Sequence, residues 1–237
     1  MTADWSRRRF LETAGAAAVA GAATGMGTAR AAEETPRRPI RVIGLCASPR
    51  KGKTTAAAMR ACLEAARQAG PQVEVELIEL AGLKINGAVA AGVPLEPGER
   101  DDFPAVAEKL ADPQVAGIIV GTPVYFGNMS SLCKAFLERC IALRKNDFAL
   151  RNKVAGVLAV GGSRNGGQEL TIQSVLAALL SQDMIVVGDG KPTAHSGAAL
   201  WNNSQDNISS DEAGLATARN LGRRVAEVAA MIARAGA

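Results

Sequence analysis

Short, mostly β-branched apolar runs alternate along this chain with stretches of helical periodicity, and this alternation limits the fold more than any other feature. The apolar runs are residues 40–45, 73–80, 115–120, 154–160 and 184–187. Runs of this length and composition are typical of buried parallel strands, which lack a polar face. Strands that alternate with helices form right-handed crossovers, so the sequence predicts a doubly wound α/β domain.

Sequence signals for helices lie between the predicted strands. Residues 54–69 are rich in alanine and stop at the Gly-Pro pair of residues 70–71, an ending typical of a helix C-terminus. Further along, Ser130 or Ser131 is suited to cap a helix that runs to about residue 143.

Two long stretches, residues 81–102 and 188–210, show neither the periodicity of a helix nor the pattern of a strand. Loops of this length in a compact domain are usually functional, so we expect both near a ligand or at a subunit interface. The single histidine, His195, lies in the second stretch. We interpret it as a loop or interface residue and not as a catalytic base.

The beginning of the chain has the three parts of an export signal in order. Arginines at residues 7–9 precede a weakly apolar Ala/Gly stretch at residues 13–27, and small residues at 29–31 have cleavage-site spacing. We predict a twin-arginine signal peptide over residues 1–31, one domain over residues 32–237, and a periplasmic location. Because this route carries folded proteins, it also suggests a bound cofactor. A basic arm that touches nucleic acid or lipid is the alternative.

Charge and hydropathy exclude several functional classes. The whole chain has a net charge of +4, and the predicted signal peptide holds four arginines against Asp4 and Glu12, which leaves +2 for the mature chain. With scattered positive residues, this small charge argues against a nucleic-acid partner. No run of about 18 strongly apolar residues occurs, so we expect no multispan protein and no stable membrane insertion once the signal is removed.

The four cysteines show neither a CxxC pair nor a metal-ligand spacing with the histidine. Two of them, Cys133 and Cys140, are seven residues apart on one predicted helix, about 10 Å along its axis and too far for a disulfide. We therefore expect no metal site and interpret the cysteines as buried free thiols.

The segment after the first predicted strand, residues 47–55, which we call the anion loop, joins hydroxyl and cationic side chains to a helix start. Amides at a helix N-terminus and the fixed charge of an arginine attract an anion, and phosphate is the natural guest. A basic turn whose hydroxyls only cap the helix is the alternative. The candidate ligands are Ser48, Arg50, Lys53, Thr54 and Thr55.

The anion loop also fits a relaxed P-loop pattern, in which Ala47 replaces the first glycine before residues 52–54. A P-loop triphosphatase needs an acidic residue at the end of a neighbouring strand to hold Mg²⁺. The predicted strands at residues 115–120 and 154–160 end without one, and the candidate is Asp189, after the last strand. A P-loop nucleotide-binding protein is therefore the less favoured interpretation.

Two other strand ends have unusual residues. Residues 121–130, the aromatic turn, hold two aromatic side chains on which a planar ligand could stack, although a core aromatic pair is the alternative. Residues 161–169, the glycine loop, allow a ligand to approach the backbone closely, although they also suit an ordinary glycine turn. Since α/β sheets bind ligands beyond the carboxyl ends of their strands, the three segments together fit a flat, phosphorylated cofactor such as FMN.

Four segments in order, SPRKGKTT, TPVYFGNMSSLCKAFLER, GGSRNGGQE and DEAGLATARNLGRRVAE, resemble the NADPH-dependent FMN reductase and iron–sulfur flavoprotein group of the flavodoxin-like superfamily. The resemblance covers nearly all of residues 40–233. It implies a doubly wound five-stranded parallel sheet in the order 2-1-3-4-5, with helices on both faces, and an FMN whose phosphate lies in the anion loop. It places the isoalloxazine beside Pro123, Tyr125, Phe126, Gly127, Asn128, Gly161, Gly162 and Gly167.

The chain also departs from the pattern of the group. Ala47 replaces the usual glycine, and Lys53 stands where asparagine or serine is common. The iron–sulfur relatives have a compact group of cysteines after the second strand, whereas residues 81–102 contain none. Because a [4Fe–4S] centre needs about four thiolates, we expect FMN without an iron–sulfur cluster.

The resemblance implies an FMN-dependent oxidoreductase that passes hydride or electrons through the flavin to a small acceptor or a redox partner protein. The flavin carries the chemistry, so no catalytic side chain is needed. NAD(P)H is the usual donor of the group, but the cell envelope has no obvious pool of it, so we expect a quinol or an exported redox protein. A non-enzymatic flavodoxin-type electron carrier is the alternative, which Arg50 and the charge of +2 disfavour.

Relatives of this group often assemble as dimers or tetramers, which implies a homodimer or homotetramer here. In such an assembly, Trp201 in the last long loop is placed to cover the flavin of a neighbouring subunit.

Overall fold

The computed structural model describes residues 38–235. The predicted signal peptide, residues 1–31, lies outside the described residues and stays a prediction. Within them, no helix combines the length and the apolar character that crossing a membrane requires.

A sheet of seven strands forms the centre of the domain. The strands are β1 (Ile40–Cys46), β2 (Val73–Glu79), β3 (Val115–Tyr125), β4 (Asn128–Met129), β5 (Val154–Gly161), β6 (Ile185–Val186) and β7 (Ala198–Trp201). Five of them lie parallel in the order β2-β1-β3-β5-β6. The predicted flavodoxin-like order is therefore confirmed, with two short strands added to it.

The fifth strand of the sheet consists of two separate pieces. The first piece, β6, pairs with the start of β5, and the second piece, β7, pairs in parallel with its end. Between them the chain leaves the sheet and returns at Gly197, where a Cβ would lie only 2.5 Å from the carbonyl oxygen of Val157. The sequence prediction placed β7 in a loop, and this was wrong, because four residues are too few to show a period.

Helices cover both faces of the sheet. They are α1 (Thr54–Arg67), α2 (Phe103–Ala111), α3 (Ser131–Arg139), α4 (Ile141–Lys145), α5 (Gln168–Leu180) and α6 (Glu212–Ala235), with a 3₁₀ turn at Gly87–Ala91. One core layer lies between the sheet and α1 and α6, around Met59 and Leu221. The other lies between the sheet and α2, α3 and α5, around Phe103 and Ile172.

The helix predicted to run to about residue 143 is shorter than expected, because α3 ends at Arg139 and Cys140 separates it from α4. Its start is at one of the two predicted caps. Ser130 Oγ accepts a hydrogen bond from the Cys133 amide at 3.1 Å and donates one to the Ala47 carbonyl at 2.6 Å. The cap thereby fixes the start of α3 against the anion loop.

All four cysteines are buried and free. Burial raises the pKa of Cys62, Cys133 and Cys140 to about 12 and that of Cys46 to about 11. Because the thiolate is the reactive form, these thiols are unreactive at neutral pH and act as small apolar side chains.

Candidate functional site

The three segments that the sequence singles out lie at one edge of the sheet. The anion loop follows β1, the aromatic turn contains the end of β3, and the glycine loop follows β5. Since β3 pairs with both β1 and β5, the three carboxyl ends are neighbours. The fold therefore brings the predicted segments together where parallel α/β sheets bind their ligands.

The anion loop ends in an uncapped helix. Lys53 is the N-cap residue of α1, and its side chain makes no capping hydrogen bond. The first amides of a helix have no partner within it, so here they are available to an anion. Thr54 and Thr55 in this turn are buried. Ser48 is also buried, and its Oγ accepts a hydrogen bond from the Arg50 amide at 3.2 Å, which shapes the turn.

Two of the three cations of the anion loop, Arg50 and Lys53, share one acidic partner that the sequence prediction missed. Arg50 Nη1 lies 2.5 Å from Asp206 Oδ1, and Lys53 Nζ lies 3.4 Å from Asp206 Oδ2. The hydrogen bond from Arg50 holds the pKa of Asp206 below its ordinary value. Asp206 belongs to the second long loop, so that loop lies beside the anion loop, and its predicted position near a ligand stays a prediction.

A second carboxylate supports the anion loop from the side of β2. Glu79 Oε2 accepts a hydrogen bond from the Gly52 amide at 2.7 Å, and Oε1 lies 3.9 Å from Arg60 Nη1. Glu79 is the last residue of β2 and lies directly opposite Cys46 in the register with β1. Its position at a strand end next to β1 was the signal that could have identified it.

Asp189 does not lie beside the anion loop. It follows β6, which β3 and β5 separate from β1. Its buried carboxylate accepts a hydrogen bond from Thr193 Oγ1 at 2.5 Å and lies 3.2 Å from Nδ1 of His195. The residue on which the P-loop interpretation depended is therefore in the wrong place to hold a metal at this loop.

The aromatic turn presents two rings to the outside. Tyr125 is 43% exposed and Phe126 is fully exposed, so they do not form a core pair. Pro123 and Tyr125 lie in the extended end of β3, where the prediction had a loop. Phe126 and Gly127 form the turn into β4, and Asn128 then pairs with Tyr125. Both rings are accessible to a planar ligand.

The glycine loop lies against the aromatic turn. Gly167 has a φ of +97°, and a Cβ on it would lie 2.8 Å from the Cα of Gly127. Gly161 is buried at the end of β5, whereas Gly162 is exposed. A Cβ on Gly162 would meet only Ser204 Oγ, at 3.5 Å. The exposed backbone of this loop can therefore be approached closely.

The side chain of Gln168 braces the glycine loop, and the sequence prediction missed this role. Its Nε2 donates to the carbonyls of Ser163 at 2.7 Å and Leu200 at 3.1 Å, and its Oε1 accepts from the Gly166 amide at 2.8 Å. Gln168 is buried. Hydrogen bonds to three backbone groups hold the loop in one conformation.

Residues 202–206, which we call the strap, connect the glycine loop to the anion loop. The Asn202 amide donates to the Gly161 carbonyl at 3.0 Å, and the Ser204 amide donates to the Gly162 carbonyl at 2.9 Å. Asp206 then reaches Arg50 and Lys53 of the anion loop. Just before the strap, the Trp201 ring lies under the Arg164 guanidinium at 4.9 Å. The covering of a neighbouring flavin by Trp201 stays a prediction.

These features fit the phosphate and ring system of a flavin mononucleotide. The uncapped start of α1 with its buried hydroxyls and two cations suits a phosphate monoester. The exposed rings and the open glycine backbone suit a flat heterocycle. Among the described residues, no group of three or more His, Cys, Asp or Glu side chains is arranged to hold a metal ion.

Residues 40–199 match the protein family described as NADPH-dependent FMN reductase. The chain belongs to this family. As a member, it is an FMN-dependent oxidoreductase. An iron–sulfur flavoprotein of Methanocaldococcus jannaschii is 42% identical to this FMN reductase family member over 196 residues, which are 81% of this chain and 99% of the relative.

Two further proteins are similar to this family member. NAD(P)H dehydrogenase (quinone) 3 of Rhizobium meliloti is 35% identical over 187 residues, 72% of this chain and 84% of the relative. The crystal structure of a flavodoxin, WrbA-like protein from Agrobacterium tumefaciens has the same fold, with a TM-score of 0.58 and 21% identity. That match covers 80% of this chain and 97% of the other.

Proposed function

We propose that this family member is an exported, periplasmic oxidoreductase that uses FMN to reduce a small, quinone-like acceptor. The observation that carries the proposal is the meeting of the uncapped, cationic anion loop with the aromatic turn and the glycine loop at one sheet edge. The relative named NAD(P)H dehydrogenase (quinone) 3 supports a quinone as the acceptor.

In this proposal the phosphate of FMN lies at the start of α1. The amides and hydroxyls of Thr54 and Thr55 bind it, Arg50 and Lys53 neutralise it, and Ser48 holds the turn in shape. The isoalloxazine lies between the aromatic turn and the glycine loop, beside Pro123, Tyr125, Phe126, Gly127, Asn128, Gly161, Gly162 and Gly167. When bound, FMN supplies hydride or electron-pair transfer.

The chain's own residues bind and orient the cofactor and need not exchange protons with the substrate. The accessible rings of Tyr125 and Phe126 offer a surface on which the flavin or the acceptor can stack. Gln168 keeps the glycine backbone in place, so that its geometry is already set before a ligand binds.

We infer that the electron donor is a quinol or an exported redox protein, because the predicted signal peptide places the protein away from the NAD(P)H pool. NAD(P)H remains the competing donor, since the family description names NADPH. Steady turnover with a quinol, and slow turnover with NADPH, is the expected result for purified protein. A flavodoxin-type carrier would exchange electrons with proteins only and would turn over neither.

We also infer that the protein carries FMN without an iron–sulfur cluster. Residues 81–102 contain no cysteine. An ion pair holds this segment instead: Arg139 Nη2 lies 2.6 Å from Asp101 Oδ2, and Arg139 Nη1 donates to the Asn86 carbonyl at 3.2 Å. Iron analysis of the purified protein tests this inference, and stoichiometric iron would overturn it.

Export and assembly complete the proposal. The twin-arginine signal of residues 1–31 directs the folded domain to the periplasm, and replacing the arginines at 7–9 with lysine should leave the protein in the cytoplasmic fraction. The fully exposed ring of Phe126 is consistent with a homodimer or homotetramer. Light scattering of the purified protein measures the subunit number.

The first experiment is an absorption spectrum of the purified protein, followed by chromatography of the compound that heating releases. Flavin bands with release of FMN are the expected result. A colourless protein that takes up ATP and not FMN would favour the P-loop interpretation instead.

A further inference from the structure

The carboxylate of Asp206 lies where a bound phosphate would contact Arg50 and Lys53 of the anion loop. Its two carboxylate oxygens divide between Arg50 and Lys53, at 2.5 Å and 3.4 Å. All three side chains are about half exposed. Within residues 38–235, no other acidic side chain forms an ion pair with either cation.

The backbone of the strap presents Asp206 to the anion loop. The amides of Asn202 and Ser204 are fixed to the glycine loop, and Ser204 Oγ also donates to the Gly162 carbonyl at 3.4 Å. The Arg50–Asp206 pair joins residues 156 positions apart in the chain. The strap therefore forms a bridge between the two loops, and its contact with the anion loop is electrostatic.

We propose that Asp206 competes with the phosphate of FMN for Arg50 and Lys53, and that it thereby sets how strongly the site prefers FMN to riboflavin. The inference rests on the proposed FMN site. A phosphate that binds both cations must displace the Asp206 carboxylate or lie beside it as a like charge. Riboflavin has no phosphate, so its binding leaves the ion pairs intact.

The size of the effect follows from the exposure of the pairs. Ion pairs between half-exposed side chains are weak, so the need to displace Asp206 from its cations lowers the affinity for FMN only moderately. Removing the carboxylate should tighten FMN binding by about three- to tenfold. Salt screens both interactions, so the difference should shrink at high ionic strength.

The test is a titration of flavin-free, full-length protein with FMN and, separately, with riboflavin. The variant is Asp206→Asn, which removes the charge and keeps the shape. The matched control is Asp183→Asn, which removes the same charge from an exposed aspartate that pairs with Arg151 at 3.1 Å, beyond the opposite end of β5. We expect tighter FMN binding and unchanged riboflavin binding for Asp206→Asn, and no change for the control.

A double variant separates action through Arg50 from a general effect. In the Arg50→Ala background the gain from Asp206→Asn should shrink, because one of the contested cations is gone. Equal or weaker FMN binding by Asp206→Asn overturns the inference and leaves the proposed function standing. An equal gain for riboflavin also overturns it, since the strap would then only block entry. Wild-type protein that binds neither flavin overturns both.

Discussion

Gly127 and Gly167 contact each other backbone to backbone, with the Cα of Gly127 only 2.8 Å from where a Cβ of Gly167 would lie. The contact joins the aromatic turn to the glycine loop, the two segments proposed to flank the isoalloxazine. No other residue type fits at position 167, because its φ of +97° also disfavours a side chain.

Replacing this glycine should separate the two loops. Gly167→Ala should weaken FMN binding by at least about tenfold and lower the free energy of unfolding by about 1 to 3 kcal/mol. The matched control is Gly98→Ala, because Gly98 has a φ of +82° with nothing within 4 Å of its would-be Cβ. Equal loss of flavin affinity in both variants would show that backbone strain alone, and not the contact, is responsible.

Arg50 should contribute directly to cofactor affinity. A charged hydrogen bond is worth roughly 1.5 to 3 kcal/mol, so Arg50→Ala should weaken FMN binding about tenfold or more. Flavin titration of the apoprotein measures this loss. Arg67→Ala is the control, since Arg67 is exposed at the end of α1 and pairs with Glu64 at 2.7 Å. Unchanged affinity in Arg50→Ala would mean that the guanidinium does not meet the phosphate.

The ion pair between Arg139 and Asp101 should make stability depend on acid pH. Hydrogen bonds from Arg139 hold the pKa of Asp101 below its ordinary value, so the folded chain loses this stabilisation as pH falls below about 4. Asp101→Asn should lower the unfolding free energy at pH 7 by about 1.5 to 3 kcal/mol, the usual value of a hydrogen bond to a charged group, and remove that part of the acid dependence. Urea denaturation from about pH 3 to about pH 7 measures both effects, because this range includes the ordinary carboxyl pKa.

The control for this prediction is Glu64→Gln, which disrupts the exposed pair with Arg67 and should change stability little. If both variants behave alike, the pair at Arg139 is no more important than a surface contact.

Lys153 should also make stability rise with pH, but in the alkaline range. Burial lowers its pKa from 10.5 to about 8, while Nζ donates to the carbonyls of Asp112 and Val115. Since the unfolded chain binds this proton more tightly, stability should rise by roughly 2 to 3 kcal/mol as pH increases from 8 to 10.5. Lys153→Met should lack the rise, whereas Lys109→Met, at an exposed lysine paired with Glu76, should keep it.

The positions of β1, β2, β3 and β5 could be predicted because these strands are long, apolar and mostly β-branched, whereas the sheet order came from the family resemblance. The aromatic turn shows where such reasoning ends. Its residues were identified correctly as a group, but the sequence could not show that β3 extends to Tyr125 or that Phe126 is fully exposed. Exposure depends on which side of the sheet edge the turn faces, and local pattern does not encode that.

The carboxylates beside the anion loop could not be predicted from local pattern either. Asp206 reaches Arg50 across 156 residues, and Glu79 reaches Gly52 across 27. Both lie in the site only because the sheet order places β2 beside β1 and because the strap returns from β7 over the glycine loop. A single sequence read by itself therefore shows the hydrogen-bond donors of such a site more readily than the acceptors that pair with them.

The division of the fifth strand into β6 and β7 bears on how molecules of this protein meet one another. A long bare strand at the border of a sheet can pair with the same strand of a second molecule and begin a growing aggregate. Here that border consists of β6, with two residues, and β7, with four, and a gap separates them. The Trp201 amide of β7 already donates a hydrogen bond to Asp211 Oδ2 at 2.9 Å. The opposite border, β2, carries Glu74, Glu76 and Glu79. In the part of the chain described here, both borders thus discourage intermolecular strand pairing.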